Sequence, residues 1–186
     1  KECSKYAHLD TTPASETTHV LASAKMTTDY NNKAIPAIAL AQEYLTAIEG
    51  PFWRGIRGVG LAYGADVRRN HETGFVSYLI YRGSDAQEAW LVAKKIVDDY
   101  ASGKTPFDKI TMENAVAATI NNIANNVLNA TEAADEVISD VLFKNRGKNY
   151  IAQFVSQLSE VTEEQLVEVM NTVYKPIFDP KTSVVF

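Results

Sequence analysis

The sequence predicts an α+β domain, a mostly antiparallel sheet with helices packed on one face. Three observations lead there. Two runs rich in branched and aromatic residues, around Leu61–Val67 and "FVSYLIYR", flank the turn "NHETG" as a buried hairpin. Amphipathic segments then follow one another without an intervening strand. Short strand-like stretches stand near both ends, "THVLASAKMTT" at 18–28 and "TSVVF" at the C-terminus.

Taken in order, residues 1–16 read as a linker with Pro13 and several Ser and Thr, and residues 17–186 as one domain. The first strand, 18–28, ends in the turn "DYNNK". A helix follows over 34–49, with Ile35, Ile38, Ala39, Gln42, Leu45 and Ile48 spaced mostly by three or four and Pro36 in its first turn. Gly50–Pro51 interrupts it, and Phe52 and Trp53 are expected to pack that helix against the sheet. In the hairpin, Leu61, Tyr63, Ala65 and Val67 alternate along one strand. Ser84 and Gln87 then suggest a capping box for a helix whose stripe is Ala86, Ala89, Trp90, Ala93, Ile96, Val97 and Tyr100, stopped by Gly103 and Pro106. Three more helical stretches read as 111–129, 131–145 and 148–159. Thr162 and Gln165 form a second capping box, with Val161 and Leu166 placed as a staple, for a helix running to about Tyr174.

Composition excludes several classes. The 186 residues carry 18 basic and 23 acidic side chains, a net charge of −5, and 46% are hydrophobic. A chain of that size buries a sizeable core. Nucleic acid is not an expected partner, since phosphate binding needs clustered cations and the longest basic runs are Arg68–Arg69 and Lys94–Lys95. Apolar runs fall short of the roughly 18 residues of a membrane span. One cysteine, Cys3, cannot form a disulfide within the chain, which fits a reducing compartment. No metal site is expected: His8, His19 and His71 are far apart, and His71–Glu72 lacks a second histidine four residues on. His71 reads as a solvated turn residue. Asn121, Asn122, Asn125 and Asn126 read as a polar surface face, and Asn129 begins a glycosylation sequon.

The stretch "RGVGLAYG", 57–64, holds three of the chain's 9 glycines. Six fully extended steps from Arg57 to Tyr63 would span roughly 20 Å, so the two side chains meet only if the chain bends. Gly58 and Gly60 permit such a bend. Gly64 leaves room beside the phenol for a neighbouring backbone. Either this brings a cation and a phenol to one ligand, or it is a helix-to-strand turn with an exposed arginine and a core tyrosine.

The segment "EYLTAIEGPFWRGIRGVGLAYGADVRRNHETGFVSYLIYRGSDAQEAWLVAKKIVDDYASGK" resembles the C-terminal part of the pitrilysin/insulysin family of zinc metallopeptidases, nearest its presequence-protease-like branch. The likeness runs from about residue 17 to 186, and its sharpest element is R-x5-Y-G followed by a hairpin and a helix ending "YASGKTPF". It implies the metallohydrolase-like α/β roll of that family. It also implies that two similar halves close on a peptide, with zinc held through an inverted H-x-x-E-H motif (an inverzincin site) in the N-terminal half. By that resemblance Tyr63 would donate to the scissile carbonyl as it becomes an oxyanion, and Arg57 would hold a nearby substrate carbonyl, with Gly58 and Gly60 shaping the substrate-binding bend. H-x-x-E-H is absent from the chain, which begins on Lys1. The expectation is therefore the last domain of a larger peptidase, inactive alone, partnered by the N-terminal metal-binding half and by peptide substrates, and intracellular, cytoplasmic rather than mitochondrial. The alternatives are a non-catalytic subunit of the same fold and an unrelated binding module.

Overall fold

A computed structural model describes residues 15–125, 129–147 and 149–185. The N-terminal linker therefore lies outside the described residues except for 15 and 16, as do Cys3, His8 and Asn126. Strand β1 (Thr18–Lys25) is followed by helix α1 (Ile35–Thr46), a π-helical turn at Trp53–Arg57, strands β2 (Ala62–Asn70) and β3 (Phe75–Gly83), and helix α2 (Ala86–Ala101). Then come α3 (Lys109–Asn125), α4 (Ala130–Leu142), α5 (Tyr150–Ser159) and α6 (Glu163–Val169). A second π-helical turn (Met170–Tyr174), a 3₁₀ turn (Lys175–Phe178) and strand β4 (Ser183–Val185) complete the order. The α+β class expected from the sequence is what forms.

All pairings in the sheet are antiparallel, in the order β2-β3-β1-β4. Cross-strand partners share a face. Ala22 faces Tyr78, Ala24 faces Val76 and Val67 faces Tyr78, and all five are buried. This is the face the helices cover. On the opposite face Leu21 is opposite Leu79, Asp66 is opposite Leu79, and the Ser23 and Ser77 hydroxyls lie 2.7 Å apart. Helix α1 is apolar around most of its circumference, with Ile35 through Ala41 all buried, because it runs between the sheet and the helices α3, α5 and α6. Pro36 sits in its first turn, as the sequence indicates.

Local signals and structure part company at a few places. The Thr162–Gln165 box forms in full. The Ser84–Gln87 box does not: Asp85 is the N-cap of α2, accepting from the Glu88 N–H, and Ser84 is used elsewhere. Helix α1 ends at Thr46, because Ala47 leaves helical backbone at ψ 147° and Glu49 takes φ 60°. Ile48 lies beyond that end and is 88% exposed. Phe52 packs edge-on against Tyr78, ring centroids 5.6 Å apart. Asn121, Asn122 and Asn125 are exposed. Asn129 caps α4 by accepting from the Glu132 N–H. Helix α4 leaves Val137, Ile138, Val141 and Leu142 exposed. Among the described residues no helix is long and apolar enough to cross a membrane.

Candidate functional site

The Arg57–Tyr63 stretch is built from the backbone outward. Pro51 restarts the chain as a helix that widens to a π turn at Trp53–Arg57, closed by the Gly58 N–H donating to the Trp53 carbonyl at 2.7 Å. Buried Ile56 anchors the turn to the core. Its neighbour Gly55 lies so close to α2 that a Cβ there would stand 2.9 Å from Ile96 Cδ1. Gly60 then takes φ +80°, a left-handed value costly for other residues. The Gly60 N–H donates to the Arg57 carbonyl and the Leu61 N–H to the Ile56 carbonyl, both at 3.0 Å. Ser84, leading into α2, closes the bend from outside: its hydroxyl is 2.6 Å from the Gly60 carbonyl oxygen and 3.0 Å from that of Leu61.

The consequence is contact between the two side chains. The Arg57 guanidinium carbon lies 4.9 Å from the centroid of the Tyr63 ring, a cation–π distance. Arg57 is exposed and forms no ion pair among the described residues. Tyr63 is 59% exposed, so it is not the core residue that alternation with Ala65 and Val67 would make it. The pleat is disturbed at this end of the hairpin: Arg82 takes φ 50°, and the β1–β3 register shifts between Thr18 and Val20. Tyr63 instead meets Tyr81, ring centroids 6.1 Å apart. Gly64 pairs with Tyr81, but a Cβ on it would meet only the Tyr81 Cβ at 3.9 Å, so the close backbone approach expected there is not made.

Around the pair lies a concave surface of about 600 Å³, lined by residues including Arg57, Tyr63, Tyr81, His19, Leu21 and Leu79. The arginine supplies a fork of donors, the tyrosine one hydroxyl donor, and the floor is mixed aromatic and aliphatic. Asp66 and Arg68 beside it pair with each other at 2.9 Å. Sequence reasoning did not find Tyr81 or His19, whose rings are 5.1 Å apart. Hairpin pairing of Gly64 with Tyr81 was the available signal for the first; His19 comes from β1 by long-range pairing, which no local signal announces.

His71 differs from its sequence reading. It lies in the hairpin turn but is half-buried, 5.2 Å from the Tyr30 ring, and its Nδ1 is sealed without a hydrogen-bond partner. Burial, then the nearby Arg69 cation, pushes its pKa down to about 4 against a hydrogen bond with the Thr27 backbone, with Arg146 adding to the depression. Among the described residues no group of three or more His, Cys, Asp and Glu could hold a metal ion.

No protein-family model matches the sequence. An uncharacterized protein of Saccharomyces cerevisiae is 37% identical over 97% of the chain, and the chain spans 18% of that relative's length. Among solved structures, the inactive peptidase domain of a putative zinc protease from Bordetella parapertussis is similar with a TM-score of 0.72 at 10% identity, over 90% of each chain. A peptidase M16 inactive domain from Pseudomonas fluorescens is similar with a TM-score of 0.67 at 17% identity, over 92% of this chain and 40% of that one. At these identities the likeness is one of fold.

Proposed function

We propose that this chain is a substrate-facing domain of a pitrilysin-family zinc metallopeptidase, presenting Arg57 and Tyr63 to a peptide at a zinc site held elsewhere in a longer polypeptide. The observation that carries the reading is the exposed Arg57–Tyr63 stack at 4.9 Å on the uncovered face of the sheet. A tyrosine at the start of β2 out of a glycine-built bend, kept out of the core and held under a guanidinium that forms no ion pair among the described residues, is an arrangement a structural turn does not need. The relative's greater length and the zinc-protease and inactive-domain descriptions of the fold neighbours support it. The H-x-x-E-H motif is missing from the sequence, and the histidines and carboxylates present do not assemble a metal site among the described residues, so the metal would belong to the other half of the polypeptide.

In this reading Tyr63 donates its hydroxyl proton in a hydrogen bond to the carbonyl oxygen of the peptide bond under attack. As charge grows on that oxygen the bond strengthens, which lowers the barrier rather than only tightening binding. Arg57 grips a flanking substrate carbonyl, and its stack on Tyr63 orients both. The test is steady-state cleavage of one quenched fluorescent peptide by the intact polypeptide. Tyr63→Phe is expected to lower kcat on the order of 100-fold or more, with an unchanged melting temperature. Arg57→Lys is expected to raise KM more than it lowers kcat, since a point charge loses the planar fork. Tyr78→Phe is the control, because Tyr78 is buried and its hydroxyl serves the Ala89 carbonyl at 3.3 Å. Tyr63→Phe with a kcat within about twofold of the parent would refute the assignment and leave a structural or interaction role for this fold.

A further inference from the structure

Strand β3 carries a second arginine–tyrosine stack beside the first. Thr18 of β1 pairs with Gly83 whereas Val20 pairs with Ile80, so Tyr81 and Arg82 together stand opposite the single residue His19. This is a β-bulge, one extra residue in β3. Arg82 takes φ 50°, a left-handed value that is costly for a residue with a Cβ. Regular alternation would send Arg82 to the covered face of the sheet. The bulge instead leaves Tyr81 and Arg82 both exposed, between the buried Ile80 and Gly83. The Arg82 guanidinium carbon lies 5.3 Å from the centroid of the Tyr81 ring.

Two such stacks therefore stand side by side. Arg57 lies over Tyr63 at 4.9 Å and Arg82 over Tyr81 at 5.3 Å, with the two tyrosine centroids 6.1 Å apart. Neither arginine forms an ion pair among the described residues. Asp66, the one acidic side chain among the described residues lining this concave surface, is taken by Arg68 at 2.9 Å. Two uncompensated guanidinium charges thus meet at one surface of a chain whose net charge is −5. The glycine-built bend accounts for the first stack but not for the second. Glycine would take the backbone of residue 82 without strain, so the fold does not require an arginine there. Residues held in sparsely populated backbone regions cluster where a ligand is met, which turns attention to what the Arg82 guanidinium faces.

We propose that Tyr81 and Arg82 form an adjoining subsite that takes a carboxylate of the bound peptide, the guanidinium gripping the carboxylate and the Tyr81 ring supporting the chain beside it. The proposal rests on the reading of Arg57 and Tyr63 as substrate-facing. The planar guanidinium fork matches a carboxylate with two parallel hydrogen bonds. An extended peptide advances about 6.6–6.8 Å in two residues, close to the 6.1 Å between the rings, so the carboxylate lies about two residues from the bond held at Tyr63. A carboxylate that near the bond is supplied either by an Asp or Glu side chain or by the C-terminus of the peptide, and the probes separate the two.

The experiment is calorimetric titration of the intact polypeptide, with a chelator present so that no peptide is cleaved. The probes are short peptides blocked at both ends that carry Glu, Gln or Lys at one central position, and the Gln peptide with a free C-terminal carboxylate. The Glu peptide or the free-acid peptide is expected to bind about fivefold or more tightly than the blocked Gln peptide, and the Lys peptide more weakly still. Whichever acid gains more identifies the source, and the gain should shrink as salt is raised. Arg82→Gln should bring that acid to within about twofold of the blocked Gln peptide. Arg82→Gly should do the same and melt no lower than the parent, because glycine accepts φ 50°, so it carries the test even where Arg82→Gln fails to fold. Equal binding of the peptides, no binding up to about 1 mM, a preference that both variants leave intact, or an Arg82→Gly that melts below the parent overturns the proposal. Because cleavage is blocked, the result is read apart from Tyr63→Phe. Loss of kcat in Tyr63→Phe without an acidic preference keeps the peptidase reading and removes the subsite. An Arg82-dependent preference with kcat unchanged in Tyr63→Phe keeps the subsite and removes the catalytic role.

Discussion

Ser84→Ala is the substitution that tests how the Arg57–Tyr63 bend is held. The hydroxyl has one proton and two carbonyls within reach, Gly60 at 2.6 Å and Leu61 at 3.0 Å. Leu61 would not be orphaned, because the backbone N–H groups of Ser84 and Asp85 also donate to its carbonyl, at 3.0 and 3.1 Å. Gly60 loses its tertiary donor, but it is exposed, so water replaces it. The full penalty of a buried unsatisfied group therefore does not apply, and the loss is that of one neutral hydrogen bond, about 1 kcal/mol. For a chain of this length that corresponds to a fall in Tm of about 2–4 °C. The bend should also open more often. The Gly60 and Leu61 amides, which donate to the Arg57 and Ile56 carbonyls, should exchange about fivefold faster, the factor equivalent to 1 kcal/mol. Ser102→Ala is the control, because its hydroxyl serves the Asp99 carbonyl at the far end of α2 and should leave Gly60 exchange unchanged. Thermal melts and native-state hydrogen exchange read both effects. A Tm within about 0.5 °C of the parent, with unchanged protection at Gly60 and Leu61, would refute the claim that Ser84 holds the bend.

Gly60→Ala isolates backbone strain from packing, since a Cβ there meets nothing within 4 Å while φ is +80°. It should cost about 1 kcal/mol in urea unfolding, and a variant as stable as the parent would contradict the strained conformation. Tyr174→Phe removes a fully buried hydroxyl that donates to the Ile38 carbonyl at 2.6 Å, expected to cost about 1–1.5 kcal/mol in denaturant unfolding with an unchanged m value. His71 has a folded pKa of about 4 against the ordinary histidine value of 6.5, so between those values the unfolded chain binds a proton that the folded chain excludes. Stability contributed by the neutral ring is complete above pH 6.5, is lost as pH falls through that window, and levels off below about 4. Because the ring is only half-buried, the loss is discounted to roughly 1–2 kcal/mol. Unfolding of His71→Gln between pH 4 and 7 should show a correspondingly flatter profile, and identical slopes would contradict the assignment.

The sequence alone determined what short-range physics controls. The stripe Ala89, Ala93, Val97 and Tyr100 faces the core because 3.6-residue spacing leaves it no other option once the helix forms. Thr162 and Gln165 cap α6 because both hydrogen bonds close within one turn. The α+β class followed from the clustering of strands in the chain. The tertiary structure decided everything that depends on residues distant in sequence. Ser84 carries the same S-x-x-Q spacing as an N-terminal box, yet its hydroxyl is turned to donate to the Gly60 and Leu61 carbonyls and Asp85 takes the cap. The sheet order β2-β3-β1-β4 places His19 beside Tyr81, a neighbour that periodicity cannot supply. His71 became half-buried because Tyr30, Arg69 and Arg146 close around a turn that looked solvated. For Arg57 and Tyr63 the sequence could say only that two glycines permit a meeting. A π turn pinned by Ile56, a left-handed Gly60 and a kinked partner at Arg82 decided that they do meet, and on the open face of the sheet. Alternation along one strand assigns a side chain to a face only while its partner strand keeps the pleat, and here that partner does not.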